Sequence, residues 1–158
     1  MEVYLVQHGE SKPETEDPAR PLTDKGWREV ESVARYLADL GIDVSQILHS
    51  GKLRAQQTAE LVAQHLKPPQ GIVEQEGLGP LDDPHKAKEL ISQAHESLML
   101  VGHLPHLKNL VSLLILGETE KEVVNFTRGG VVRLVRSAGS WSVDWALVPA
   151  FACGRKRE

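Results

Sequence analysis

Apolar runs of strand type and amphipathic stretches of helical period alternate along this chain. Val3 to Val6 is a short continuous apolar run that ends abruptly at Gln7-His8-Gly9-Glu10, as a buried strand does when it closes on a polar turn. Ser11 to Leu22 holds three prolines and several charges and reads as a long loop. Thr23 is an N-cap residue type. From Asp24 to Leu40, Trp27, Val30, Val33, Ala34, Leu37 and Leu40 fall on one helical face, and Gly41 supplies a stop. Val44 to Leu48 predicts a second strand, closing at His49-Ser50-Gly51. A second amphipathic helix runs from Leu53 through Leu61, Val62 and Leu66 until Pro68-Pro69 ends it.

The second half repeats the theme. Ile72-Val73 predicts a short strand, and Asp83 to His95 has helical spacing through Ala87, Leu90, Ile91 and Ala94. Leu98 to Val101 is another continuous apolar run, ending in Gly102-His103, the pattern of a parallel strand buried on both faces. Pro105 stands at the first position of an apolar helix that reaches Leu116, with Gly117 after it. Val131 to Val135 and Trp141 to Val148 flank Ser137-Ala138-Gly139-Ser140 and predict a hairpin. Alternating strands and helices imply an α/β fold, a three-layer sandwich around a mainly parallel sheet. Ligands in such sheets bind at the carboxyl ends of the strands. His8, the segment Ser50 to Arg54, and His103 each follow a strand, so all three can meet at one edge.

Composition narrows the classes. With 158 residues, 41% apolar and 25% charged, the expectation is one soluble domain over residues 1–152 and a frayed basic tail at 153–158. A net charge of −4 argues against a nucleic-acid or membrane-surface binder while leaving room for a local cationic pocket. Cys153 is the one cysteine, so no disulfide within the chain and no cysteine metal cluster is expected. The N-terminus lacks the basic n-region of a signal peptide, and no stretch approaches the roughly 20 apolar residues of a membrane span. A cytoplasmic location is the expectation.

The candidate chemistry sits at the strand ends. Gly9 lets the backbone turn tightly after His8 and lets a ligand approach. A lone histidine is ordinarily structural, but His103 repeats the context of apolar strand, glycine and histidine. Arg54, in the first turn of a helix, is electrostatically misplaced unless it faces an anion that the helix end also attracts. Arg20, from the long loop, can fold over the same edge. Two histidines, two arginines and a helix N-terminus describe a phosphate site rather than a metal site. His103-Leu104-Pro105-His106 has ligand-like spacing, but Pro105 keeps the pair off one continuous helical face, and no cysteine or carboxylate set completes it. No cofactor and no metal are expected. His49, His65, His85 and His95 read as helix-surface or loop residues.

Four collinear segments carry a resemblance. They are Val3 to Glu10; Arg20-Pro21-Leu22-Thr23 with Gly26; Ser50 to Ala59; and Leu100 to Pro105. With them the chain resembles the histidine phosphatase superfamily, of phosphoglycerate-mutase-like fold, and within it the short SixA-type phosphohistidine phosphatases with minimal cap. The resemblance implies that His8 is a nucleophile accepting the phosphoryl group, that Arg54 and His103 belong to the phosphate pocket, and that Gln7, Gly9 and Arg20 bind substrate. It implies a metal-independent phosphatase acting on phosphohistidine proteins. The alternatives are a small-molecule phosphomonoesterase or a weakly active or non-catalytic phosphate-binding module. Two departures matter. The family motif begins Arg-His-Gly, and here Gln7 replaces that arginine and its bidentate charge. Lys12, Lys52 and Arg128 are the cations able to fill the vacancy. The family's Glu-Leu pair reads Gly77-Leu78 here, leaving Glu10 and Glu76 as candidate general acids.

Overall fold

A computed structural model describes residues 1–153. In chain order the elements are β1 (Glu2–Gln7), α1 (Asp24–Asp39), β2 (Gln46–His49), α2 (Leu53–Leu66), β3 (Ile72–Glu74), α3 (Pro84–Gln93), β4 (Leu98–Gly102), α4 (His106–Leu116), β5 (Val131–Ser137), β6 (Ser140–Leu147) and α5 (Pro149–Ala152). Of the tail expected to fray, residues 154–158 lie outside the described residues.

The strands form one six-stranded sheet in the order β3-β2-β4-β1-β5-β6. The first four in the chain run parallel; β5 is antiparallel to β1, and β6 to β5. Alternation along the strands sends Tyr4, Val6, Ile47, Met99 and Val101 to one face, where α1 and α2 cover them. Val3, Leu5, Leu48, Leu98 and Leu100 go to the other, beneath α3 and α4. Burial on both faces is why β1 and β4 are uninterrupted apolar runs. The architecture is the three-layer α/β sandwich, with a mixed rather than wholly parallel sheet. Among the described residues no helix is long and apolar enough to cross a membrane.

Two details depart from the periodicity. Trp27 and Leu40, expected on the core face of α1, are 36% and 54% exposed. Gly26 instead takes the inward position beside Trp27, because the helix start is pressed against the backbone of Glu10. The Thr23 amide donates to the Glu10 carbonyl at 3.0 Å, and Thr23 Oγ1 accepts from the Gly26 amide. A Cβ on Gly26 would lie 2.2 Å from the Glu10 carbonyl oxygen. Leu40 falls outside the helix, which ends at Asp39. Pro105 stands one residue ahead of α4, joined to Leu104 by a cis peptide bond.

Candidate active site

Register brings the two histidines together. Gln7 pairs with Gly102 across β1 and β4, so His8 and His103 each stand one residue beyond a paired position. The His8 amide donates to the Gly102 carbonyl at 3.1 Å, and the imidazole centroids are 5.0 Å apart. Both rings are buried, with 8% and 2% of their surface exposed. His49, read as a surface or loop residue, is instead the buried end of β2, where Nδ1 accepts from the Gly51 amide.

The ring of His8 is fixed in one tautomer. Its Nδ1–H donates to the Gly9 carbonyl at 2.7 Å, because a carbonyl can only accept. Nε2 therefore carries the lone pair. Burial pushes the pKa of His8 down to about 4 against the opposing Gly9 hydrogen bond, and the charges of Arg54, Arg20 and Arg128 lower it further. The imidazole is neutral at pH 7 and surrounded by guanidinium charge. His103 is pushed lower, to about 3, by burial first and then by the charges of His8, Arg54 and Lys52. Its Nε2 shares a 2.6 Å hydrogen bond with Ser50 Oγ.

Arg54 is the second residue of α2. Its Nε is buried without a hydrogen-bond partner among the described residues, and its pKa is lowered by burial and then by the charge of Arg20. Arg20 adopts φ 50°, with its guanidinium 3.4 Å from the Lys12 carbonyl and from Ser11 Oγ. The bridge between Ser11 and Leu22 closes this loop at its base. Two like charges near a neutral buried histidine, one with an unused donor, make an arrangement able to receive an anion.

The candidate acids are placed apart. Glu10 is held by the Thr23 hydroxyl, which donates to it at 2.8 Å, and stands 3.8 Å from Arg128. Glu76 is exposed on the loop after β3, lining a cavity of about 390 Å³ with Ser50, Glu74 and Asp82. On the opposite flank Gln7, Glu10, Leu104, Phe126 and Arg128 line a cavity of about 610 Å³. A larger one, about 810 Å³, includes Ser45, Gln46 and Leu98 at the amino ends of β2 and β4, remote from this chemistry.

Sequence reasoning gave no role to Thr58 or Ser50. Thr58 is fully buried on α2; its Oγ1 accepts from the Gly9 amide at 3.0 Å and donates to the Arg54 carbonyl at 2.7 Å. One hydroxyl thus ties the His8 turn to the helix that carries Arg54. The available signal was the i,i+4 spacing that puts Thr58 on the same face as Arg54.

Comparison with known proteins identifies the family. The family model described as histidine phosphatase superfamily (branch 1) matches residues 3–81. An uncharacterized protein of Picosynechococcus is 34% identical over 142 residues, spanning 85% of this chain and 84% of that one. Phosphohistidine phosphatase SixA of Escherichia coli K12 is 28% identical over 155 residues, 94% of each chain. A solved structure of the protein histidine phosphatase SixA complexed with tungstate superposes with a TM-score of 0.81 at 27% identity, covering 96% of this chain and 99% of that one.

Proposed function

The chain belongs to the histidine phosphatase superfamily, and on that premise we propose that it hydrolyses phosphohistidine in protein substrates through a phosphoryl-His8 intermediate. The observation that carries the reading is the 2.7 Å bond from His8 Nδ1 to the Gly9 carbonyl, which leaves Nε2 as a neutral nucleophile beside Arg20, Arg54 and His103. Neutral imidazole with a fixed second nitrogen is a competent nucleophile at pH 7. Nε2 attacks phosphorus in line, and the bond from phosphorus to the substrate imidazole breaks. Arg54 and Arg20 offset charge on the equatorial oxygens, to which the neutral His103 ring can donate a hydrogen bond. Water then attacks phosphoryl-His8, releasing inorganic phosphate and the free imidazole.

The choice of a phosphoramidate rests on the acids. Glu10 is engaged by the Thr23 hydroxyl at 2.8 Å, and Glu76 is exposed on the loop after β3, lining a cavity with Ser50. An alkoxide leaving group needs a proton from such a residue. A phosphohistidine protonated at its far ring nitrogen leaves as neutral imidazole and needs none. The similarity to Escherichia coli SixA supports the same substrate class.

The test is hydrolysis of phosphohistidine peptide, phosphoserine peptide and a sugar phosphate at equal concentration, with EDTA present. We expect the phosphohistidine peptide to be preferred by at least tenfold, and acid-labile label to be trapped on the wild type but not on His8→Ala. Equal or better turnover of the ester substrates would overturn the substrate assignment. Failure to trap label on the wild type during turnover would overturn the nucleophile.

A further inference from the structure

Resting on the phosphatase reading, we propose that Arg128 is a phosphoryl-binding residue that replaces, from a different part of the chain, the guanidinium that Gln7 lacks. The turn carrying it is clamped to the nucleophile's own strand end. The Gly129 amide donates to the carbonyls of Gln7 at 2.9 Å and His8 at 3.2 Å. Gly129 has φ +76°, a conformation that favours glycine, and a Cβ on Gly130 would lie 2.5 Å from Thr127 Oγ1. A guanidinium projected from so constrained a turn has a defined origin relative to His8.

The surroundings fit an anion. Arg128 shares the 610 Å³ cavity with Gln7 and Leu104, the chain neighbours of His8 and His103. Gln7 Oε1 is buried there without a hydrogen-bond partner among the described residues, an acceptor that calls for a donor such as a guanidinium and that a phosphoryl oxygen cannot satisfy. Arg128 meets Glu10 at 3.8 Å, well beyond the 2.7–2.9 Å of a tight charge-assisted bond. A dianionic phosphoryl group with two oxygens to offer competes well against so loose a carboxylate.

The other two cations are placed differently. Lys52 is the exposed N-cap of α2, and its charge lowers the pKa of His103. Lys12 lies at the base of the loop, where its backbone is hydrogen-bonded to Pro21 and to the Arg20 side chain. Of the three, Arg128 is the one whose following residue is hydrogen-bonded to the His8 carbonyl, and its charge lowers the pKa of His8.

Orthovanadate binding by calorimetry and kcat/KM on a phosphohistidine peptide, measured on the full chain, test the idea. Arg128→Ala and Arg128→Gln should each weaken vanadate and lower kcat/KM by about tenfold to a hundredfold, as loss of a charged hydrogen bond does. Lys88→Ala, which removes the same charge from an exposed site on α3, should change neither by more than about twofold. Gln7→Arg alone should gain less than about threefold, because its place is already served. Introduced into Arg128→Ala, it should restore at least tenfold, a non-additivity that a merely structural role would not produce. Vanadate binding by Arg128→Ala within twofold of wild type would overturn this inference while leaving the phosphatase reading intact, and weakening without rescue would overturn the exchange of roles. Wild-type protein that binds no vanadate would overturn the phosphatase reading, and this inference with it.

Discussion

Replacing Thr58 by valine removes one oxygen and almost no volume, so its effect isolates the hydroxyl that joins the His8 turn to α2. The Arg54 carbonyl keeps its intrahelical partner, but the buried Gly9 amide loses the acceptor it holds at 3.0 Å. An unsatisfied buried N–H costs about 1–3 kcal/mol. For a chain of 158 residues each kcal/mol lowers Tm by about 2–4 °C, so a loss of about 2–12 °C is expected. Activity should fall further than stability suggests. Gly9 also presents the carbonyl that fixes the His8 tautomer, and displacement of a reacting group by even about 1 Å costs on the order of a hundredfold. Thermal unfolding by circular dichroism and kcat/KM on a phosphohistidine peptide read the two effects. Thr58→Ser keeps the hydroxyl and loses a methyl worth about 0.8 kcal/mol, so it should melt within about 3 °C of wild type and keep most of its rate. Valine behaving like wild type, or serine as damaging as valine, would refute the bridging role.

His8→Ala should abolish turnover with the fold retained, and Arg54→Ala and His103→Ala should each lower the rate by about a hundredfold or more; a folded His8→Ala protein that keeps most of its activity ends the nucleophile assignment. Gly26→Ala should destabilise rather than gain the ~1 kcal/mol that alanine usually brings to a helix, since its Cβ would meet the Glu10 carbonyl oxygen at 2.2 Å; a higher Tm would contradict that close approach. The ring protons of His8 should titrate near pH 4 by NMR, and a midpoint near 6.5 would refute its burial as a neutral base. His8, His49, His103 and His106 all have pKa values below 6.5 in the folded chain, so the unfolded chain binds more protons on acidification. Stability should therefore fall as pH is lowered from 7.5 to 5.5, and a denaturation midpoint that rises instead would reverse the argument.

The sheet was legible because β1 and β4 are buried on both faces and so written as unbroken apolar runs, each ending in the glycine and histidine that mark a strand end. From that pattern alone His8 and His103 could be placed at one edge, and the Gln7–Gly102 register makes them neighbours. Trp27 was misplaced because helical periodicity rewards size, whereas the position beside it that faces Glu10 has room only for a glycine. The tie through Thr58 was hidden for another reason. A buried hydroxyl that serves two backbone groups 49 and four residues away leaves no pattern in the chain, only an isolated threonine in a helix. Glu10 could not be separated from Glu76 by spacing, since what distinguishes them is the contact with Thr23 and Arg128.

The position of β1 has a kinetic consequence. It leads directly into His8 and, among the described residues, hydrogen-bonds within the sheet to β4 and β5, at residues 98–102 and 131–135, which are synthesised well after it. While the first half of the chain is emerging, α1, β2 and α2 can form around a β1 that has no neighbour on either side. Loop closure across about a hundred residues must precede pairing, which makes this a late and comparatively slow event. Until then His8 lacks the Gly102 carbonyl that orients its amide and the Gly129 amide that caps its own carbonyl. The nascent chain thus lacks the setting in which His8 is proposed to react until β4 and β5 have both closed on β1.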